Sequence, residues 1–510
     1  MSLADFFMQS VEQTPNHYAL IDENRRLTYK ALYCHTLRLY KTIQDTVLLK
    51  ENPVVVIIGD KSTETVVAIL TVLLAGATYL PIDSDTTQNR FQQIIDIAQP
   101  DLALIGTVTS KSQQIIDTLP NDIFQCRVDL DNLPPKSIGT IVDSTKPLAK
   151  KIAYILFTSG STGHPKGVCV SHQAAKAAVN MFIKHIQPAA KDKIISLAPL
   201  TFDLSIFDLF SSFAVGATVE LIPNKISKNT PRLVEYLVNC QGSSLFTVPS
   251  LLHNLCLKLK DYSNKQLPFK RILVSGEIVT DNLLDVLRQT CPRNCMLWNL
   301  YGATETPYVL ARQAPIHSSQ NPRILNQVGD NIHLTFDSLH NDYEQELILS
   351  SPALFSGYLK NKRVWPSLNE GPKTQHHTND LFKITPQGWE LKGRKDRQYK
   401  INGKRIDLGD IEAAYETHAL VDQAGVIYYS KQKTFVIFIA LDQSLSGGSY
   451  EECRDRLTKH ILNNYASHMI INPIIFISKM PQTTSGKKAY NTLNQMLEST
   501  ETKFENLLCY

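Results

Sequence analysis

At 510 residues and 43% hydrophobic content, the chain is too long for one ordinary core and should divide into at least two domains. Its 52 basic and 48 acidic residues are spread along the sequence, for a net charge of +4, without the clustered Lys and Arg and interleaved aromatics of a nucleic-acid footprint. Nine scattered cysteines include no C-x-x-C pair, and no histidine cluster beside Cys291 and Cys295 completes a zinc site, so reduced thiols in a cytoplasmic setting are expected.

The opening M-S-L-A-D-F-F-M-Q-S-V-E-Q-T-P lacks the basic and continuous apolar regions of a signal peptide and reads as an amphipathic helix ended by Pro15. From Tyr18 to Leu104, strand-like pieces (Val54 to Gly59, Thr78 to Pro81, Leu102 to Ile105) alternate with helix-like ones (Tyr29 to Gln44, Glu64 to Leu74, Thr86 to Ala98). That alternation indicates α/β layering around a largely parallel sheet. The longest apolar run, Val66 to Leu80, is broken by Thr71, Gly76 and Thr78. It falls short of the roughly 20 residues of a membrane span and suits a buried helix running into a strand.

Tyr154 to Val168 reads Y-I-L-F-T-S-G-S-T-G-H-P-K-G-V, a β-prone run delivering a polar loop. Gly160, Gly163 and Gly167 permit close backbone approach, Thr158, Ser159, Ser161 and Thr162 add hydroxyls, and Lys166 adds a mobile positive charge. The ligand this suits is a polyphosphate. A Ser/Gly-rich run is usually a solvated linker, but this one follows a buried-type strand and ends in Pro-Lys-Gly. Lys166 precedes Gly167, so the loop is neither a Walker A nor a G-x-G-x-x-G motif. Its pattern resembles the phosphate loop of adenylate-forming enzymes, the superfamily of acyl-CoA synthetases, luciferases and amino-acid adenylation domains. L-T-Y-K-A-L (Leu27 to Leu32) and L-L-A-G-A-T-Y-L-P-I-D (Leu73 to Asp83) resemble two structural signatures of the same superfamily.

Leu197 to Phe210, L-A-P-L-T-F-D-L-S-I-F-D-L-F, reads as an apolar helix start with two acidic residues. On a helix Asp203 and Phe207 share a face, while Asp208 points elsewhere. Asp203 suits an N-cap, or a carboxylate in an apolar pocket that needs a cationic partner such as an ammonium group. F-D-x-S resembles the amino-acid-activating branch, in which this Asp binds the substrate α-amino group. Leu245 to Ser250 and Arg271 to Glu277 read as strand ends opening into loops, where doubly wound sheets collect ligands; by resemblance Gly276 and Glu277 belong to the ATP site. W-N-L-Y-G-A-T-E (Trp298 to Glu305) resembles N-x-Y-G-P-T-E with Ala303 for Pro, which implies that Tyr301 stacks on adenine, Thr304 contacts phosphate and Glu305 holds Mg²⁺. Glu346 to Tyr358 resembles a structural motif in weakened form. Q-H-H-T-N-D-L (Gln375 to Leu381) resembles Y-R-T-G-D-L, making Asp380 the ribose carboxylate, with Asn379 for Gly and His376 for Tyr; His376 and His377 read as surface histidines.

Gly393 to Glu412 is dense in charge and turn glycines and precedes a fresh α/β pattern, which marks a domain boundary. It resembles the superfamily's hinge motif, implying Arg394 near the ribose and Asp396 as the hinge. M-P-Q-T-T-S-G-K-K-A-Y (Met480 to Tyr490) resembles L-P-x-T-x-x-G-K, which puts Lys487 on the catalytic loop, with Lys488 the lesser candidate.

The expected fold is therefore α/β: a large N-terminal core of layered sheets and helices (residues 1–394) with the ATP and amino-acid sites, and a small mobile C-terminal α+β lid (395–510). The resemblance implies attack of a carboxylate on the α-phosphate of ATP, then transfer of the acyl group to a thiol. After Lys487 only a short tail remains, and Gly447-Gly448-Ser449 reads as a loop rather than a carrier attachment site, so a free-standing enzyme loading the phosphopantetheine of a separate carrier protein is expected. The transferred pocket positions are Asp203, Leu204, Phe207, Thr247, Leu273, Ser275, Leu300, Tyr308 and Val309, closed by Lys487. An apolar pocket with Thr247 and Ser275 as its polar points suits a small or medium neutral amino acid. A D-alanine:carrier-protein ligase, an acyl- or aryl-CoA ligase, and a non-catalytic binding module remain as alternatives.

Overall fold

The computed structural model describes residues 2–47, 52–108, 110–133, 151–158, 165–262, 265–338, 344–360, 363–365, 375–401, 404–429, 434–442, 449–465, 469–482 and 488–499. Its contacts divide the chain into two compact units. The larger comprises Met1–Asp85, Ile94–Phe157 and Gly167–Lys395, the smaller Thr86–Gln93, Thr158–Lys166 and Asp396–Tyr510.

The amphipathic opening is helix α1 (Asp5–Gln13), which buries Phe6, Phe7 and Ser10. α2 (Tyr29–Val47) follows, then β1 (Val54–Ile58), α3 (Thr63–Leu74), β2 (Thr78–Ile82), α4 (Gln88–Ala98) and β3 (Leu102–Ile105). The alternation expected from the sequence is present, with boundaries moved by a few residues. β1 and β2 are buried at every position, as parallel strands covered on both faces must be, and therefore read as unbroken apolar runs. Ser62 caps α3 by accepting the Thr65 N–H, and Gly76, at φ 68°, makes the turn that sends the apolar run from helix into strand.

β4 (Ile152–Thr158) and β5 (Lys166–Ser171) extend this eight-stranded sheet, in which β2 pairs with β1 and β4 in parallel. β5 leads directly into α5 (His172–Ile186), capped by Ser171. The base of α5 is tied to the start of the chain: Leu3 N–H donates to His172 Nδ1 at 3.0 Å, and Lys176 Nζ meets Asp5 Oδ2 at 2.9 Å and lies 5.2 Å from the Phe6 ring centre. Burial pushes the His172 imidazole down to about 4, which keeps it a neutral acceptor.

A nine-stranded sheet forms the second layer. Its central strands β6 (Lys193–Ser196), β7 (Ser244–Thr247), β8 (Arg271–Ser275) and β9 (Met296–Ala303) run parallel in that order, and β10 (Thr306–Pro315) returns antiparallel to β9. Four parallel strands thus present their carboxyl ends together. A five-stranded antiparallel sheet contains β11 (Gln345–Ser350), β12 (His376–Thr385) and β13 (Gly388–Arg394).

In the smaller unit, α6 (Leu408–Glu416) packs on β14 (Val421–Tyr429) through Leu408, Ile411, Ala424 and Val426. β15 (Thr434–Leu441) pairs antiparallel with β14, and β16 (Ile474–Ile477) pairs in parallel with β15. The mixed α/β architecture, with a smaller α+β unit, matches the expectation. The eight cysteines among the described residues are free thiols. Among those residues no helix is long and apolar enough to cross a membrane.

Candidate active site

The hairpin β9–β10 and the edge of the five-stranded sheet place one polar cluster. Tyr301, near the end of β9, donates its hydroxyl to Asp380 Oδ2 at 2.6 Å, and Asp380 Oδ1 also accepts from Arg394 Nη1. β12 and β13 are in register with Asp380 opposite Arg394, which aligns the pair. The Tyr301 ring meets Phe382 edge-on at 4.9 Å. Burial first, then the Asp380 charge, raises the phenol well above its usual range, so it stays a neutral donor. Before Asp380 sits Asn379 at φ 58°, where the superfamily pattern has Gly; a short polar side chain tolerates that backbone region.

Past Tyr301 the β9–β10 register shifts, and Gly302 allows the turn because a Cβ there would lie 2.5 Å from the Pro307 carbonyl oxygen. This turn delivers Thr304, whose hydroxyl donates to Asp203 Oδ2 at 3.1 Å. Asp203 holds the N-cap position of a short helix (Leu204–Ile206) but its side chain caps nothing; it turns to Thr304 instead. The helix then runs through one π turn, Phe207–Ser211, where a continuous α-helix was expected, before regular helix resumes at Ser212. Such single wide turns recur at functional sites. Glu305 is 2% exposed and accepts from the Tyr358 hydroxyl at 2.9 Å.

Thr247 and Ser275 end β7 and β8, and Gly276, at φ 93°, opens the loop in which Glu277 accepts from Ser250 N–H and Oγ at 2.8 and 3.0 Å. Leu204, Phe207, Leu273, Leu300, Tyr308 and Val309 are all buried in one apolar cluster. The structure thus brings together, in the larger unit, Asp203, Thr304, the apolar set, and separately the Tyr301–Asp380–Arg394 triad.

The sequence profile of the AMP-binding enzyme family matches residues 7–359, and that of the AMP-binding enzyme C-terminal domain matches residues 410–487. The chain belongs to the AMP-binding enzyme family. It is an adenylate-forming ligase, and such ligases use ATP. Over 501 residues it is 28% identical to zwittermicin A synthase ZmaJ of Bacillus cereus, covering 94% of this chain and 92% of that protein. It is 26% identical over 485 residues to the D-alanine--D-alanyl carrier protein ligase of Staphylococcus epidermidis, covering 94% and 95% of the two chains. Other relatives are far longer: the chain spans 19% of one synthase subunit of Bacillus subtilis at 27% identity. Its fold is that of the Vibrio cholerae adenylation domain AlmE, solved with glycyl-adenosine-5'-phosphate (TM-score 0.78, 20% identity, 98% of each chain).

Other residues expected in this adenylating enzyme's site fall in the smaller unit. The Thr158 carbonyl accepts from Arg90 Nη2 at 3.2 Å, Lys166 begins β5, and Asp396 Oδ1 accepts the Gln398 N–H at 3.2 Å. Ser159, Gly160, Ser161, Thr162, Gly163 and Lys487 lie outside the described residues, as do Gly447 and Gly448. Lys488 is engaged elsewhere: its ammonium reaches Glu412 Oε2 at 3.2 Å and Glu416 Oε1 at 2.8 Å. His377 is exposed as expected, whereas His376 is half-buried, edge-on to Phe355 with the ring centres 5.5 Å apart.

Sequence reasoning missed the residues that hold these groups in place. Lys61, 5% exposed, donates to the carbonyls of Ser196, Leu197 and Ala198 at 2.8, 2.8 and 3.3 Å, pinning the chain as it leaves β6 toward Asp203. Burial pulls its ammonium down to about 8, against Asp208 and Asp83. Tyr358 steadies Glu305 and Ser250 steadies Glu277. Tyr358 closes a segment already noted as resembling a structural motif; Lys61 and Ser250 carry no local signal, since their partners are remote in sequence.

Proposed function

We propose that the enzyme activates a small or medium neutral amino acid as its aminoacyl adenylate and passes it to the phosphopantetheine thiol of a separate carrier protein. The observation that carries this is Asp203: a half-buried carboxylate 3.1 Å from Thr304 Oγ1, followed in the chain by Leu204 and Phe207 of the apolar cluster, is a partner for an α-ammonium group. The carrier-protein ligase among its relatives supports the acceptor.

In this reading adenine lies on Tyr301, the ribose hydroxyls meet Asp380 and Arg394, and the phosphates meet Thr304, Lys166, Gly276, Glu277 and the loop from Thr158 to Gly163. Glu305 is the residue that would hold Mg²⁺. Its buried carboxylate, oriented by Tyr358 and adjacent in sequence to the Thr304 hydroxyl, is a hard-oxygen donor set of the kind that ion takes. Bound there, the ion would neutralise phosphate charge. The substrate carboxylate is already ionised at neutral pH and needs no general base. Its oxygen forms a bond to the α-phosphorus as the bond to pyrophosphate breaks, and Lys487 stabilises the charge between carboxylate and phosphate. Rotation of the small domain about Asp396 then withdraws Lys487, and the thiolate displaces AMP from the acyl carbon.

The test is amino-acid-dependent ATP–pyrophosphate exchange across the proteinogenic amino acids plus D-alanine, with Lys487→Ala and Asp203→Ala as controls. One amino acid whose exchange both substitutions abolish is the expected result. Exchange only with acids lacking an amino group, or undiminished in Asp203→Ala, would move the enzyme to the CoA ligases.

A further inference from the structure

Behind the apolar pocket lies a second feature that the site residues do not account for. A cavity of about 20 Å³ has Phe182, Phe207, Phe246 and Leu273 in its wall, together with Ser244 and Arg271. Ser244 and Arg271 are the first residues of β7 and β8, whereas Thr247 and Ser275, the polar points of the pocket, are the last. The cavity therefore sits at the amino ends of the strands whose carboxyl ends carry the pocket, lower in the sheet by roughly 10 Å at about 3.3 Å per residue. Phe207 and Leu273 line this cavity and are also among the expected pocket positions, so they stand between the two.

Phe182 is the centre of that partition. It lies on α5, 5% exposed, stacked on Phe207 at 4.7 Å between ring centres and on Phe246 at 6.0 Å, and edge-on to Tyr308 at 6.1 Å. Phe207 and Tyr308 are themselves 6.3 Å apart, so the rings close on one another around Phe182. One turn further along α5, His185 Nδ1 and the Tyr308 hydroxyl share a hydrogen bond of 2.5 Å. Residues three apart on a helix share a face, so α5 holds both rings of the partition from one side.

We propose that Phe182 sets the depth of the substrate pocket, closing it above the cavity and restricting the enzyme to α-amino acids with side chains from alanine to about valine in size. This deepens the amino-acid reading above and rests on it for the amino group alone. A ring removed at position 182 opens the space beside Phe207 and Tyr308 toward the cavity.

The experiment measures, by calorimetry, binding of aminoacyl sulfamoyl adenosines bearing alanyl, valyl, leucyl and phenylalanyl groups. A matched desamino series is run beside them, on wild type, Phe182→Ala and Phe182→Leu. In the wild type the alanyl compound should bind at least about tenfold tighter than the leucyl one, within the range a few methylenes supply. Phe182→Ala should narrow or invert that ratio by about tenfold or more, with Phe182→Leu between them. A ratio unchanged in a variant that keeps its melting temperature and ATP affinity overturns the proposal. So does a wild type that prefers the large side chains or binds neither series. Should Phe182→Ala fail to fold, the Leu variant decides. Wild-type binding confined to the desamino series would defeat the amino-acid reading while the size ratio still reports pocket depth.

Discussion

Asp203 and Asp208 are five positions apart and share little else. Asp203 stays half-buried against a hydroxyl, while Asp208 is 2% exposed and its Oδ2 has no hydrogen-bond partner among the described residues. Burial raises the Asp208 carboxyl to about 7, with Ser196 and Lys61 pulling the other way. The native chain thus keeps a proton that the unfolded chain releases between about pH 4 and 7. The stabilisation from this group is complete below the lower value and lost as pH rises through the upper one. Asp208→Asn removes the dependence, so thermal melts from pH 4 to 8 should show the variant gaining on wild type by up to ~1.4 kcal/mol per pH unit. The sequence separated the two carboxylates by helical geometry alone. The segment leading to both is held by Lys61, whose carbonyl partners lie more than a hundred residues away, and no local pattern carries that.

At the scale of elements, the parallel strands were readable because burial on both faces leaves an unbroken apolar run, as at Val54–Ile58. The π turn at Phe207–Ser211 was not, since its residues are as apolar as those of an ordinary helix and the extra residue per turn leaves no compositional mark. The β9–β10 hairpin lies between these cases. Its motif was recognisable, but the register shift after Tyr301 and the tight approach of Gly302 to Pro307 emerge only in three dimensions. Gly302→Ala must push the turn apart and displace Thr304 from Asp203. We expect about a 10–100-fold loss of kcat/KM in pyrophosphate exchange, in line with the cost of ångström-scale misplacement, with far-ultraviolet circular dichroism unchanged.

Across the whole molecule, the smaller unit gathers its charges on one carboxylate. Glu412 accepts from Arg397, Lys488, Tyr490 and the Val426 N–H, and the Arg397 guanidinium lies 3.6 Å from the Tyr490 ring centre. Burial pushes the Glu412 carboxyl up, but Arg397 and its other partners leave it below the ordinary range. This gives Lys488 a structural place in the smaller unit, while Lys487 lies outside the described residues. Lys488→Ala should cost the small unit about 1.5–3 kcal/mol, the worth of hydrogen bonds to charged groups, read as faster hydrogen exchange in α6 and β14. Lys487→Ala should leave that exchange unchanged and abolish adenylation. Asp396→Pro, which fixes φ near −65°, is expected to slow thioester formation more than adenylate formation, as measured by separate single-turnover assays.

The attachment of α5 to the start of the chain has a mechanical corollary. His172 and Lys176, at the base of that helix, are gripped by Leu3, Asp5 and Phe6, while Phe182 and His185 press on the aromatic partition from its far end. A helix about 20 Å long at 1.5 Å per residue is a stiff rod, so Leu3, Asp5 and Phe6 restrain the end opposite Phe182. Loosening that grip, as in Asp5→Ala, is expected to shift the alanyl-to-leucyl binding ratio of the Phe182 test while the pocket residues stay as they are.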